Sequence, residues 1–353
     1  MSNPKQLSNL VAQYRKERGW SQAELARRAG LSRGEISAIE TNRLIPSVAA
    51  AIQLAETLGC HVEDLFERFD AESKGNALWV ASPAYDNQPF WSAVVGRRKV
   101  LCPIERTHAG FIECDGILGR NDGTRAARSD TLLLAGCDPA LGLLSRLLAT
   151  RKGLRVIPLV RTTGQGLRLL GEGKLHAVGM HTGRDESANA AAIAGQGLFG
   201  YVLLRLYKWE EGIVLSRGSG FRRVRDVLRS DVQWVDRLTE SGARLCMERL
   251  FNDAGRPVPT CTALARDHHE VVAAIASGVA QAGIAIRWVA EEAGLDFLSV
   301  QEEPYDLCFH ESLADSPALR ELTAVIQGNA YRSQIASLPG YHADTTGLLR
   351  RVA

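Results

Sequence analysis

The stretch Ser21 to Glu40, SQAELARRAGLSRGEISAIE, constrains this chain more than any other. It reads as two short helices joined by a tight turn. Ser21 is a good N-cap, and Glu24 follows at capping-box spacing, which would satisfy two otherwise unpaired amides. Ala23, Leu25, Ala26 and Ala29 give the first helix a small apolar face, and Gly30 supplies a left-handed stop. Ser32 caps the second helix, with Ile36 and Ile39 inward and Arg33, Glu35, Ser37 and Ala38 outward. Small residues at the crossing let the two helices pack at a steep angle. Upstream, Leu7, Leu10, Val11 and Tyr14 fall at helical spacing and predict a helix over 7–18. Downstream, Ala51, Leu54, Ala55 and Leu58 predict another, stopped by Gly59. Val62, Leu65 and Phe66 close a unit over 7–67.

That unit resembles the lambda-repressor/Cro-like (XRE) helix-turn-helix family. The resemblance rests on its SQ-x-x-LA-x-x-x-G opening and its IE-x-x-R-x-x-PS bridge through Arg43 and Pro46. It implies a second helix that enters the DNA major groove. Arg33 is then the candidate guanine contact, with Glu35 and Ser37 on the same face. Gln22, Ser32 and Arg43 are the candidate phosphate or sugar contacts. One such unit reads only a few base pairs, so a homodimer on a near-palindromic double-stranded DNA operator is expected. The formal net charge is only +2, so attraction to phosphates has to be local. Lys5, Arg15, Lys16, Arg18, Arg27, Arg28, Arg33 and Arg43 supply a basic cluster in the first 67 residues.

A chain of 353 residues has room for two or three domains, and 45% hydrophobic with 23% charged residues is ordinary for a soluble globular protein. The seven cysteines are odd in number, scattered, and form no CxxC pair. They suggest neither a zinc site nor a disulfide framework and fit a reducing cytoplasm. No signal peptide and no apolar run of about eighteen residues is present, so a cytoplasmic location without membrane contact is expected.

Residues 68–77, RFDAESKGNA, read as a linker. From Leu78 to about Arg128, short strand-like runs at 78–81, 98–104 and 109–113 predict a small β-rich connector, with Trp79, Phe90 and Trp91 in its core. After Asp130, strands at 131–136, 155–160 and 176–181 alternate with a helix at 140–150 and with one that the turn 162–166 leads into and that runs through Gly171. This is the pattern of a doubly wound parallel sheet, whose ligands lie at strand carboxyl ends. Extended runs between Tyr201 and Ser216 lead to a second α/β set, with a strand at 232–236 and helices near 223–229, 239–244, 267–277 and 287–293. Strands at 295–300 and 305–309 and a closing helix over 316–334 finish it. The fold class expected is an all-α helix-turn-helix domain (1–67), a linker and β-rich connector (68–129), and a bilobal α/β domain (130–353).

Residues 130–340 look like the periplasmic-binding-protein (type II) superfamily, in its molybdate-binding-like group. The resemblance is carried by GCDPAL (136–141), LRLLGEGKLHAVGMH (167–181), WVDRLTESGAR (234–244), HHEVVAAIASGVAQAGIA (268–285) and EEPYDL (302–307). The chain has Glu240-Ser241-Gly242 where the group tends to Gly-Ser-Gly, and Gln281-Ala282-Gly283 where it tends to Asp-x-Gly. Glu240 at a helix start favours the helix but repels an anion. Candidate ligand contacts are Cys137, Asp138, Thr162, Thr163, His181, Arg237, Ser241, Arg244 and Tyr305, with Arg237 and Arg244 offered as a fork for a carboxylate or oxyanion. Asp138 reads equally well as an N-cap, and Tyr305 as hinge packing. His268-His269-Glu270 lacks HExxH spacing and is set aside as a metal motif. No nucleophile and base stand at a recognised spacing, and no nucleotide fingerprint occurs, so no enzyme, metal or cofactor is called for. The reading is a DNA-binding regulator that senses a small, anionic effector. The alternative is a DNA-tethered enzyme or metal- or cofactor-handling protein, or a regulator whose ligand-free domain only dimerises.

Overall fold

A computed structural model of the chain describes residues 7–41, 43–68, 77–96, 98–119 and 130–352. They fall into two compact units, 1–76 and 77–353. Most of the expected linker, together with Lys5, Asn42 and the 120–129 end of the connector, lies outside the described residues.

The first unit is helical with one short ribbon. Its helices are α1 (Val11–Glu17), α2 (Gln22–Ala29), α3 (Arg33–Glu40), α4 (Val48–Leu58) and α5 (Val62–Leu65). The chain enters as a strand, β1 (Leu7–Asn9), and not as the first turn of a helix. β1 pairs antiparallel with β2 (Phe66–Arg68), so the first and last segments of the unit close on each other through the backbone. The predicted caps form with one exchange of roles. Ser32 and Glu35 make the reciprocal capping box, whereas Ser21 caps α2 but Glu24 turns to Arg27 and Arg28. Gly30 and Gly59 both take the left-handed stop. Leu25, Ala26, Ala29, Ile36, Ile39, Leu54, Ala55 and Leu58 make the core as predicted, whereas Ala23 is exposed.

In the second unit, β3 (Leu78–Trp79), β4 (Pro89–Val95), β5 (Arg98–Pro103) and β6 (Gly116–Ile117) form a small sheet in the order β3-β5-β4-β6. β4 is a strand that the sequence reading passed over, and the run 109–113 is irregular. Trp91 is buried, and Trp79 packs edge-on against Phe90 at 5.9 Å. The sheet shares a hydrophobic core with the α/β region. Trp91, Val95, Val100 and Cys102 cluster with Leu133, Ile157, Leu167 and Val178. Arg155 clamps the junction with a bidentate pair to Asp115 at 2.7 and 2.6 Å, while Asp115 also accepts from the Ser92 amide.

The first lobe alternates β7 (Thr131–Gly136), α6 (Leu141–Lys152), β8 (Arg155–Val160), α7 (Thr163–Gly171), β9 (Ala177–Met180) and α8 (Ala188–Gly195). β7 lies parallel between β8 and β9. The next element, β10 (Tyr201–Leu215), is one continuous strand where two runs were expected. The second lobe holds α9 (Val224–Arg229), β11 (Trp234–Arg237), α10 (Gly242–Asp253), β12 (Ala263–Ala265), α11 (His268–Ala276), β13 (Ala282–Ile286) and α12 (Arg287–Glu292). β14 (Asp296–His310) again fuses two predicted strands. α13 (Pro317–Gln327) and α14 (Asn329–Ala336) replace the single closing helix, which breaks at Gly328. β15 (Tyr341–His342) and β16 (Leu349–Arg351) complete the chain.

β10 and β14 pair along their whole length, from Tyr201 opposite His310 to Leu215 opposite Asp296. At about 3.3 Å per residue, a fifteen-residue strand spans roughly 50 Å. Their first-lobe halves join β9 through β14, and their second-lobe halves join β13 through β10. One ten-stranded sheet therefore runs through both lobes. Ladder irregularities at Arg205/Tyr207 and Glu211/Gly212 bracket its midpoint, where the lobes meet. Gly212 fits there because a Cβ would stand 2.2 Å from the Leu298 carbonyl oxygen.

Asp138, in the β7–α6 turn, is tied to this frame and not left for a ligand. Its Oδ1 accepts from Tyr341 Oη at 2.8 Å and from the Ala140 amide at 2.8 Å, and its Oδ2 accepts from Tyr207 Oη. Burial raises its pKa from 3.8 to about 6 despite those three donors. The folded state therefore holds this proton more tightly than the unfolded chain, and the associated stability is present below pH 4 and lost as pH rises to 6. In urea melts, the stability of the native protein relative to Asp138→Asn should fall by up to about 3 kcal/mol between pH 4 and pH 6 and then level off.

Candidate functional site

In the helical unit, α3 carries the expected reading face. Arg33 is exposed and Ser37 half-buried. Ser32 and Glu35 are occupied with each other: the Ser32 amide donates to Glu35 Oε2 at 2.8 Å, and the Glu35 amide donates to Ser32 Oγ at 3.1 Å. Gln22 donates to Glu40 Oε2 at 2.8 Å, and Arg43 Nε donates to Thr41 Oγ1 at 2.9 Å. The basic cluster is smaller than its count suggests. Arg15 is spent on a largely buried bidentate pair with Glu40, at 2.6 and 3.1 Å. Arg18 serves the carbonyls of Tyr14 and Leu58. Arg27 and Arg28 share Glu24. Arg33, Arg43 and Lys16 remain exposed.

In the second unit, the carboxyl ends of β7 and β9 face the second lobe across the midpoint of the long strands. Cys137 follows β7 and His181 follows β9, both buried. Cys137 Sγ lies 3.3 Å from His181 Nε2, and His181 Nδ1 lies 2.6 Å from Glu303 Oε2 on β14. Glu303 in turn accepts from Gln301 at 2.6 Å and from Arg249 at 3.1 Å. Burial alone would lower the His181 pKa, but Cys137 and Glu303 hold it well above the ordinary value. A carboxylate that orients a histidine toward a sulfur suits either a metal ligand or a nucleophilic thiol.

The second lobe contributes Arg237, at the end of β11, and His268, at the start of α11. Both are fully buried or nearly so, at 1% and 0% exposure. Arg237 Nη1 donates to His268 Nδ1 at 3.1 Å. That contact puts the imidazole proton on Nε2. Arg237 Nε and Nη2 and His268 Nε2 make no hydrogen bond among the described residues. Burial lowers the pKa of both groups, His268 far below its usual value, with the Arg237 charge as the next cause for His268. The Trp209 indole on β10 stands edge-on to both histidine rings, at 4.8 and 5.4 Å. Glu211 is buried beside it, with a pKa raised by burial and by Glu303 to about 7.

The structure thus brings together Cys137, Thr163, His181 and Arg237 from the candidate set. Thr163 Oγ1 donates to the His181 carbonyl at 3.2 Å and braces that strand end. Thr162 and Ser241 act as N-caps of α7 and α10. Arg244 does not join Arg237 in a fork, because it is held by Asp236 and by Glu248 at 2.7 Å. Tyr305 packs in the hinge: its ring stacks on Tyr207 at 5.4 Å, and its hydroxyl fills space that a Cβ on Gly136 or Gly179 would occupy. Trp209, Glu211 and Glu303 were not among the candidates, and His268 was weighed only as part of a metal motif that was set aside. The alternation Trp209–Glu211–Ile213 in a strand did carry a signal, since it sets a carboxylate on an apolar face.

The lobes touch directly at two helix starts. The Gly164 amide donates to the Glu240 carbonyl at 3.2 Å, and Arg168 pairs with the Glu240 carboxylate at 2.7 Å. Glu240 holds φ 66°, a left-handed conformation in which glycine is at ease. Its charge is answered by Arg168 across the cleft instead of standing alone at the helix start. A Cβ on Gly242 would meet the His181 ring at 2.3 Å and its carbonyl oxygen at 2.6 Å. Gly242→Ala should therefore hold the lobes apart, and small-angle scattering should show a larger radius of gyration than for the native chain.

Two sequence families match the chain. A helix-turn-helix family covers residues 11–65, and the PBP superfamily domain family covers residues 145–327. An uncharacterized HTH-type transcriptional regulator of Methanothermobacter thermautotrophicus is 43% identical over 61 residues, 17% of this chain and 88% of that protein. The uncharacterized protein YvgK of Bacillus subtilis is 23% identical over 229 residues, 61% of this chain and 72% of that protein. Among solved structures, the effector-binding domain of QuiR in complex with shikimate superposes with a TM-score of 0.44 at 13% identity, over 55% of this chain and 93% of that one. With more than half of its length inside one of these families, the chain belongs to the PBP superfamily domain family, and it carries that domain behind a helix-turn-helix of the XRE type.

Proposed function

We propose that this protein is a ligand-responsive transcriptional regulator whose cleft closes on a small anion. The observation that supports the anionic reading is Arg237. A guanidinium held at 1% exposure with two nitrogens, Nε and Nη2, left without an acceptor among the described residues is costly, on the order of 1–3 kcal/mol for each group. A carboxylate or oxyanion placed against Nε and Nη2 accepts a hydrogen bond from each in the side-by-side geometry that arginine favours. The donors sit where the two lobes meet, so an anion bound there favours the closed arrangement over an open one.

The helix-turn-helix supplies the output. In this reading the chain acts as a homodimer, whose two heads engage half-sites of a near-palindromic operator. Closure of the second unit shifts the balance between head arrangements that fit the operator and those that do not. Arg33 reads a base edge, with Ser37 beside it, and Gln22, Ser32 and Arg43 lie along the backbone path. Glu35 contributes by holding the start of α3 in its capping box.

Two substitutions separate these roles. Arg237→Ala should abolish the rise in melting temperature that molybdate, phosphate or a small carboxylic acid gives the native protein, while operator affinity without effector stays unchanged. Loss of operator binding in that variant, or an undiminished thermal response to the anion, would sink the assignment. Arg33→Ala should weaken operator binding at least about tenfold and leave the effector response intact, as measured by fluorescence anisotropy on labelled operator DNA.

A further inference from the structure

The sequence reading set His268 aside because its helical neighbours offer no metal-binding spacing. The fold supplies the missing partners from the opposite lobe. Cys137 Sγ and ring nitrogens of His181 and His268 all lie within 4.8 Å of one another, and all three residues are buried. We infer that Cys137, His181 and His268 form a transition-metal site that spans the two lobes.

Three features of the cluster support this. One thiolate and two imidazoles are the donor set that borderline divalent ions such as Zn²⁺ and Co²⁺ prefer over hard cations. With metal–sulfur and metal–nitrogen bonds of about 2.3 and 2.0–2.1 Å, tetrahedral ligands stand roughly 3.3–3.6 Å apart. The Cys137–His181 separation of 3.3 Å fits that edge. His181 is already oriented as a ligand, because Nδ1 faces the Glu303 carboxylate and leaves Nε2 turned to the cluster. His268 Nε2 is buried and has no hydrogen-bond partner among the described residues.

Arg237 sets a condition on this site. Its Nη1 donates to His268 Nδ1, so the ring proton starts on Nε2, where a metal needs a lone pair. Binding therefore moves that proton to Nδ1, with Arg237 Nη1 turning away, and releases the Cys137 thiol proton and the proton on His181 Nε2 to solvent. The Cys137 thiolate and the Glu303 and Glu211 carboxylates surround the added cation and offset its charge and that of Arg237. Two ligands come from the first lobe and one from the second, so the ion clamps the cleft. It leaves a fourth position for an exogenous group.

The test uses the full chain, stripped of metal by a chelator, kept reduced, and titrated with Co²⁺. One equivalent should produce visible d–d bands of a tetrahedral site and a near-ultraviolet sulfur-to-cobalt charge-transfer band. Cys137→Ser should remove the charge-transfer band. His268→Gln and the supporting change Glu303→Gln should each weaken binding at least tenfold, whereas His269→Gln should bind as the native chain does. X-ray absorption on the native chain loaded with one equivalent of Zn²⁺ should show one sulfur and two imidazole nitrogens, and it depends on no variant folding. The inference is overturned by the absence of a one-equivalent site, by a charge-transfer band that persists in Cys137→Ser, or by two or more sulfurs around zinc. The anion reading fails separately, since it is scored by the Arg237→Ala thermal response in metal-free protein.

Discussion

The pairing of β10 with β14 is the interaction on which the α/β unit depends. Two fifteen-residue strands, hydrogen-bonded from end to end, serve both lobes at once. Each lobe attaches its parallel strands to one of them. Bending is then concentrated where the ladder is irregular, near Arg205/Tyr207 and Glu211/Gly212. The polar groups of the cleft cluster at that same level. A ligand or ion that bridges the lobes acts where the sheet is least regular, and a small local change there becomes a rotation of whole lobes.

The cleft concentrates buried ionisable groups. Arg237, His268, His181, Glu303 and Glu211 all lie out of solvent within a region lined by Trp209 and Cys137. Burial of this kind is expensive unless every group finds a partner. Glu303 is satisfied three times over, by His181, Gln301 and Arg249. Arg237 and His268 are not satisfied. The imbalance falls on the second lobe, which carries the unspent donors. In the helical unit the same principle runs the other way. Arg15 and Glu40 satisfy each other, and Gln22 completes the carboxylate. That trio stabilises the crossing of α1, α2 and α3 and leaves the exposed α3 face free for contact.

Much of this was legible in the sequence. Capping residues, left-handed glycines and apolar spacing located α2, α3 and α4, because those signals are local. The alternation of strands and helices located both lobes for the same reason. The length of β10 and β14 was not legible: Lys208, Glu210 and Glu211 interrupt the apolar run and read as a break, although the backbone continues through them. The β1–β2 ribbon and the merger of the 78–119 sheet with the first lobe rest on contacts between distant segments. Of the residues gathered at the cleft, Cys137 and His181 were named because each ends a strand of an α/β sheet, and Arg237 because it flanks a helix start. Glu303 was not named, and His268 was set aside, because their neighbours are assembled only once two lobes meet. Arg244 was misplaced because the sequence shows its helix start but not Asp236 and Glu248 beside it.

The outer edge of β10 has a consequence for how the chain is made. β16, β15 and β13 cover that edge in turn, and the partner of Leu204 is Leu349. At 5–20 residues per second, a ribosome needs roughly 7–30 s to make the intervening 145 residues or so. For that interval an apolar strand of the growing polypeptide stands with one side unpaired, a template for the wrong neighbour. Nascent-chain protection is therefore a requirement of this topology, and slowing translation downstream of β10 lengthens the hazard instead of relieving it.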